Sequence, residues 1–316
     1  MDIFNRTLTR ATDTALFYSR QDASDPRMGE HVRRSFDDYG WAQIVIIGSP
    51  QDEGVRRNRG RPGASDAPAE IRRWLYRLTT NGVEDLRIVD IGDLVPQGTL
   101  EQTLSVQQQW VQQLLNDGKR VVVLGGGNDI AYADCSALAR VAPRLLAINI
   151  DAHFDVREGP INSGTPYRML MEEGFVPPAN FYEIGYQPFL NSPRHLEYLR
   201  GKGVNTCSAA QFRELGGLTL LKRILKNRRD ADAVFWGFDL DVVRVEEAPG
   251  VSAPNPTGLT GDELCQLATV AGAEPRTRIV EFSEVNPMFD IDGRTARLTA
   301  VAVHHYLTAL AQGPEP

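Results

Sequence analysis

Cysteine is scarce in this 316-residue chain: three residues, at positions 135, 207 and 265, odd in number, far apart and without a CxxC pair. That excludes a disulfide framework and a zinc knuckle, and the thiols read as reduced and intracellular. No apolar run is long enough to cross a bilayer, and Met1 to Thr14 lacks the apolar core of a signal peptide, so the expectation is a soluble, cytoplasmic protein. Basic residues are outnumbered, with 34 Lys and Arg against 41 Asp and Glu and a formal net charge of −7. This argues against a surface for nucleic acid or anionic membrane, while leaving room for a local basic patch that binds an acidic small molecule. Repeats and low-complexity tracts are also missing, which excludes a solenoid.

What is present alternates. Strand-like runs are predicted at 42–48, 86–91, 120–125, 144–150, 180–185, 203–207, 233–240 and 277–284, with helix-like segments between most of them. Short connections between alternating β and α segments favour a parallel sheet covered by helices on both faces. The chain divides into a polar N-terminal extension over 1–40, to which composition assigns no role, and a single domain over 41–316 with no internal linker. Ligands of such sheets gather beyond the carboxyl ends of the strands, where Asn128, Asp151, Asp239 and Glu284 fall.

Two acidic clusters, Asp151-Ala152-His153-Phe154-Asp155 and Asp239-Leu240-Asp241, each close an apolar strand. In extended chain, side chains at i, i+2 and i+4 share a face, so Asp151, His153 and Asp155 converge if the chain stays near-extended, as do Asp239 and Asp241. Carboxylates at this density repel and are costly to desolvate unless cations neutralise them, which points to a two-metal hydrolase site. The alternative is a helix cap after each strand plus surface acids. A third motif, Gly125-Gly126-Gly127-Asn128-Asp129, follows the strand Arg120 to Leu124. Its glycines suit a sharp turn, and its spacing matches neither GxGxxG nor the Lys-bearing phosphate loop.

Taken together these motifs resemble the ureohydrolases, the family of arginase, agmatinase and formimidoylglutamase, from about Gly48 to Leu310. The DAHxD motif stands as Asp151, His153 and Asp155, and the second acidic motif as Asp239 and Asp241 followed by Ala248 to Pro254. The late ExNP-type motif stands as Glu284-Val285-Asn286-Pro287. The resemblance implies a three-layer α/β/α arginase-like fold with an eight-stranded parallel sheet, and a homo-oligomer, commonly trimer-based. It also implies two Mn²⁺ ions bridged by Asp151 and Asp239, with Asp155 completing one site and His153 with Asp241 the other. Where arginase and many relatives carry His, this chain has Asn128, whose amide oxygen is a weaker donor than imidazole but one that Mn²⁺ accepts, so a weakened site is expected. Asp129 is the neighbouring alternative ligand, or else a helix N-terminal acid.

Within the family, the stretches Asp52 to Asn58, Gly60 to Ala64, Ser163 to Arg168, Ala248 to Pro254 and Asp292 to Arg297 are most similar to the formimidoylglutamase branch. That implies hydrolysis of N-formimidoyl-L-glutamate to L-glutamate and formamide, a step of histidine breakdown. The substrate carries one amidine and two carboxylates. Arginines suit the carboxylates because a planar guanidinium binds them bidentately, so Arg56, Arg57, Asn58 and Arg168 are the expected substrate contacts, and Glu284 is expected to pair with the amidinium. By the same resemblance Asp155 is the catalytic proton donor. Ser163 stands where other branches place a proton-relay His, which leaves the general acid open. His31, His195, His304 and His305 lie outside the motifs and read as surface or core residues. Two rivals remain: another guanidine or amidine hydrolase such as an agmatinase or guanidinobutyrase, and a metal-poor relative that binds a ligand without turnover.

Overall fold

Runs rich in Val and Ile become strands here because both faces of the sheet are covered, so the central strands are almost entirely buried and mostly apolar. In the computed structural model, which describes residues 6–313, nine strands form one sheet. The first five residues of the expected extension and the last three of the expected domain lie outside that range. The strands are β1 (Thr9–Arg10), β2 (Ile44–Gly48), β3 (Ile88–Leu94), β4 (Arg120–Leu124), β5 (Leu145–Ile150), β6 (Phe181–Tyr186), β7 (Asn205–Ser208), β8 (Ala233–Asp239) and β9 (Thr277–Ser283). Their order is β1-β3-β2-β4-β9-β8-β5-β6-β7. Strands β2 to β9 are the eight expected from sequence and are all parallel; β1 adds a ninth, antiparallel to β3. A two-residue strand has no periodicity to read, which is why sequence expects eight.

Alternation along the strands divides the interior into two layers. Ile46, Val122, Ile148, Trp236 and Val280 face the helices Ala67–Leu75, Gly217–Asn227, Gly261–Ala273 and Arg294–Gln312. Their neighbours Ile47, Val121, Ala147, Phe235 and Ile279 face Leu100–Asn116, Ile130–Val141 and Pro166–Glu172. The three-layer arrangement follows from this period-2 split. Part of the N-terminal segment also has a packing role that composition does not reveal. Met28 is fully buried, Phe17 stacks on Tyr76 with ring centroids 4.7 Å apart, and Thr12 Oγ1 donates to Asp90 Oδ2 at 3.0 Å. Among the described residues, no helix is long and apolar enough to cross a membrane.

Candidate metal centre

The acidic clusters meet at the carboxyl edge of β4, β5, β8 and β9, but not through extended chain. β5 ends at Ile150, and the Asp151 carboxylate turns back so that Oδ1 accepts from the His153 backbone N–H at 2.7 Å. Asp155 then adopts the left-handed conformation at φ 46°. After β8, Asp239 Oδ1 accepts from the Asp241 N–H at 2.9 Å at the start of a single 3-10 turn, Leu240–Val242. Convergence is therefore built by two side-chain-capped turns and one strained residue rather than by strand alternation.

Ligand atoms of Asp151, His153 and Asp241 lie within 4.8 Å of one another, and so do those of Asp151, Asp155 and Asp239. Asp151 is common to both groups. His153 Nδ1 sits 3.0 Å from Asp241 Oδ2 and 3.6 Å from Asp151 Oδ1. Asn128 joins the cluster through its amide nitrogen, which donates to Asp155 Oδ2 at 2.7 Å and Asp151 Oδ2 at 3.2 Å, while its Oδ1 accepts from Ser283 Oγ at 3.0 Å. Glu284, also left-handed at φ 63°, accepts the Asn128 N–H on Oε1 at 2.9 Å. The three glycines before Asn128 serve close approach rather than a positive φ, since a Cβ on Gly126 would fall 1.7 Å from the Gln51 carbonyl oxygen.

Electrostatically the site is a surplus of acid. Burial, with the Asp241 carboxylate second, pushes Asp151 up to about 6, and burial with neighbouring carboxylates raises Asp155, Asp239 and Glu284 far above the usual range. Burial opposes charge on His153, yet Asp241 and Asp151 outweigh it and push its pKa up to about 12. Asp241 Oδ1 is buried without a hydrogen-bond partner. Four aspartates, one of them with an orphaned oxygen, and one imidazole form a donor set that fits hard divalent cations, and the four carboxylates would balance the charge of two. Asp129 stands at the N-cap position of the helix Ile130–Val141, but its side chain does not cap it. It accepts from Gln51 Nε2 at 2.6 Å, and burial pushes its pKa up to about 7.

Above the acids lies a cavity of about 370 Å³ whose walls include Asn58, Arg59, Arg157, Ser163, Asn191 and His195, with Glu284, Asp155, Asp239 and Asp241 at its floor. Of the expected substrate contacts, Asn58 and Glu284 line it. Asn58 Nδ2 donates to Ser163 Oγ at 3.1 Å. The structure places the expected arginines elsewhere. Arg56 pairs with Asp52 at 3.2 Å, Arg57 with Glu53 at 3.1 Å and Glu101 at 2.5 Å, and Arg168 with Glu158 at 3.0 Å and Glu172 at 2.9 Å. None of the three lines the cavity. Arg59 and Arg157 do, both exposed, and among the described residues neither guanidinium has a hydrogen bond or ion pair. His195 also belongs to the wall, below its ordinary pKa through burial and the nearby Arg157 and Arg168. The remaining histidines bond elsewhere: His31 to the Leu86 carbonyl, His304 to the Thr79 carbonyl, and His305 to Thr269. Arg157 follows the DAHxD motif by two residues, the one sequence signal that marks it. Arg59 and His195 carry none, because their place depends on loops meeting in three dimensions.

Comparison with known proteins places this geometry. The sequence profile of the arginase family matches residues 42–308. The formimidoylglutamase of Rhodococcus jostii (strain RHA1) is 33% identical over 278 residues, covering 84% of this chain and 85% of that protein. The formimidoylglutamase of Paraburkholderia xenovorans (strain LB400) is 34% identical over 282 residues, covering 83% and 87%. The crystal structure of Trypanosoma cruzi formiminoglutamase with Mn²⁺ superposes with a TM-score of 0.86 at 31% identity, covering 92% of this chain and all of that one.

Proposed function

Since the chain belongs to the arginase family, we propose that it is a metal-dependent amidine hydrolase that converts N-formimidoyl-L-glutamate and water to L-glutamate and formamide. The observation that carries the substrate is the polarity of the cavity, with acids at its floor and two uncommitted guanidiniums, Arg59 and Arg157, in its wall. An amidinium with two carboxylates is complementary to that gradient, whereas the free amine of agmatine meets like charge and guanidinobutyrate offers a single carboxylate. The near-complete acidic ligand set counts against the ligand-binding scaffold, which has no use for clustered buried carboxylates.

Two ions per subunit would fit the donors: Asp155 and Asn128 would hold one and His153 and Asp241 the other, with Asp151 and Asp239 serving both. When bound, such ions supply the Lewis acidity that makes water a nucleophile at neutral pH. The protein's own groups do the rest. Glu284, fixed by the Asn128 N–H, pairs with the amidinium and holds its carbon over the acids. Arg59 and Arg157 take the carboxylates, with Asn58 beside them. Asp155 delivers a proton to the glutamate nitrogen as the C–N bond breaks, so that the amine leaves neutral. A homo-oligomeric assembly and a cytoplasmic location belong to the same proposal. The test is turnover of formimidoylglutamate against arginine, agmatine and guanidinobutyrate with added Mn²⁺, following formamide and urea separately. Formamide from formimidoylglutamate is the expected dominant product, and dominant urea would sink the reading.

A further inference from the structure

One residue step beneath the candidate ligands, a polar row crosses an otherwise apolar sheet face. Register pairs Glu281 of β9 with Gly237 of β8, Gly237 with Asn149 of β5, and Asn149 with Glu183 of β6. Two residues earlier on each strand the same face carries Ile279, Phe235, Ala147 and Phe181, all in the apolar core. Two residues later come Ser283, Asp239 and Asp151. Asn149 and Glu183 are fully buried. A polar row at this depth needs a reason, because a buried polar group left unpaired is destabilising.

Hydrogen bonding supplies one. Asn149 Nδ2 donates to Asp151 Oδ2 at 3.3 Å and to Glu183 Oε2 at 3.0 Å, and Asn149 Oδ1 accepts from Tyr167 Oη at 2.7 Å. The carboxylate of Asp151 settles which end of the amide faces it, since an ionised carboxylate only accepts and the NH₂ is the one donor Asn149 offers, which leaves Oδ1 for the Tyr167 hydroxyl. Gly237 keeps the space open: a Cβ there would fall 2.6 Å from Tyr167 Oη and 3.1 Å from Asn149 Oδ1. Glu183 Oε1 has no partner, which suits a neutral acid whose Oε2 accepts from Asn149.

We propose that Tyr167, Asn149 and Glu183 form a buried tripod of positioning residues that aims the Asp151 carboxylate at both ions, and so sets metal affinity from outside the ligand set. This rests on the preceding reading of Asp151 as a shared ligand. The tripod acts only through Asn149: Tyr167 orients the amide, Glu183 anchors it, and the second N–H direction is left for Asp151. A merely structural network would instead hold the helix Pro166–Glu172 to the sheet.

The two roles separate by calorimetric titration of Mn²⁺ into metal-stripped full-length protein, with Tm of the stripped protein measured alongside. Tyr167→Phe, which loses one hydroxyl, is expected to weaken Mn²⁺ binding about tenfold, as outer partners of metal ligands do, while kcat at saturating Mn²⁺ recovers. Glu183→Leu should follow it. Glu183→Gln should keep wild-type affinity, because its amide oxygen still accepts from Asn149. Unchanged Mn²⁺ affinity in Tyr167→Phe, with or without a lower Tm, overturns the tripod, and that variant decides alone if Glu183→Leu does not fold. Absence of Mn²⁺ binding by the wild type overturns the metal reading and the tripod with it, whereas wild-type binding matched by Tyr167→Phe overturns the tripod only.

Discussion

Asn128 and Glu284 lie 156 positions apart and are laced together at the sheet edge: the Asn128 N–H donates to Glu284 Oε1 at 2.9 Å, and the Glu284 N–H donates to the Gly126 carbonyl at 2.8 Å. The loops after β4 and β9 therefore form one rigid unit. A candidate ligand and the candidate amidinium partner cannot move independently, and the left-handed backbone of Glu284 is sustained by this pair of bonds.

The first prediction concerns the shared carboxylates. Asp151→Asn and Asp239→Asn should each abolish activity and most bound metal, because each removes charge from two ions at once, whereas His153→Ala should lose less metal. Metal analysis of the purified variants checks this, and full occupancy in Asp239→Asn would contradict the bridging role. In wild type, Mn²⁺ affinity should rise with pH, since Asp151 and His153 must shed the protons that burial and their neighbours hold on them in the metal-free state.

The substrate clamp gives the second. Arg157→Lys and Arg59→Lys should raise KM for formimidoylglutamate and lower kcat/KM on the order of tenfold, since an ammonium keeps the charge and loses the fork. Arg56→Lys, Arg57→Lys and Arg168→Lys should leave kinetics unchanged, because their guanidiniums are engaged with Asp52, Glu53, Glu101, Glu158 and Glu172. Steady-state kinetics of the five variants decide between the two sets.

That contrast shows what a sequence can carry. The eight parallel strands were legible because fully buried β-branched runs have one reading, and the clustering of the acids because their spacing is local. Which arginine is free was not legible. Arg57 is occupied by Glu101, 44 positions away, while Arg59 two residues later is not. Nor was the route by which the acids converge, since a left-handed Asp155 leaves no mark in composition. Asn191 and His195 reach the cavity from the segment after β6, outside every motif.

A third prediction concerns stability against pH. Asp134 is buried beside Glu281, and burial pushes its pKa up to about 6 from 3.8. Gln107 Nε2 donates to its Oδ1 at 2.9 Å, and Oδ2 is free to share a proton with Glu281. The native state then holds a proton that the unfolded chain has released, so stability falls as pH climbs from about 4 through about 6 and levels off above. Asp134→Asn removes this contribution. In metal-stripped protein, Tm of wild type should drop more than that of the variant between about pH 5 and about pH 8, and a pH-independent difference would dismiss the shared proton.

Asn128 carries the last prediction. Its amide nitrogen donates to two carboxylates, at 2.7 Å from Asp155 Oδ2 and 3.2 Å from Asp151 Oδ2, with its oxygen turned to Ser283. Coordination needs the opposite face. The amide must rotate so that oxygen points at the acids, and Ser283 allows it, because a hydroxyl that donates to Oδ1 can equally accept from Nδ2. Turning the amide would cost the bonds to Asp155 and Asp151, and its oxygen is a weaker donor than imidazole, so an ion held beside Asn128 is expected to be the more weakly bound. Asn128→His presents a stronger donor with no amide to turn and should tighten that ion, provided Ser283 makes room for the ring. Asn128→Ala should make activity depend on higher Mn²⁺. Titrations of Mn²⁺ into all three proteins, read by activity and by calorimetry, check the order His, Asn, Ala. Identical affinities would place residue 128 outside the ligand set and leave it as a neutral hydrogen-bond donor to Asp151 and Asp155.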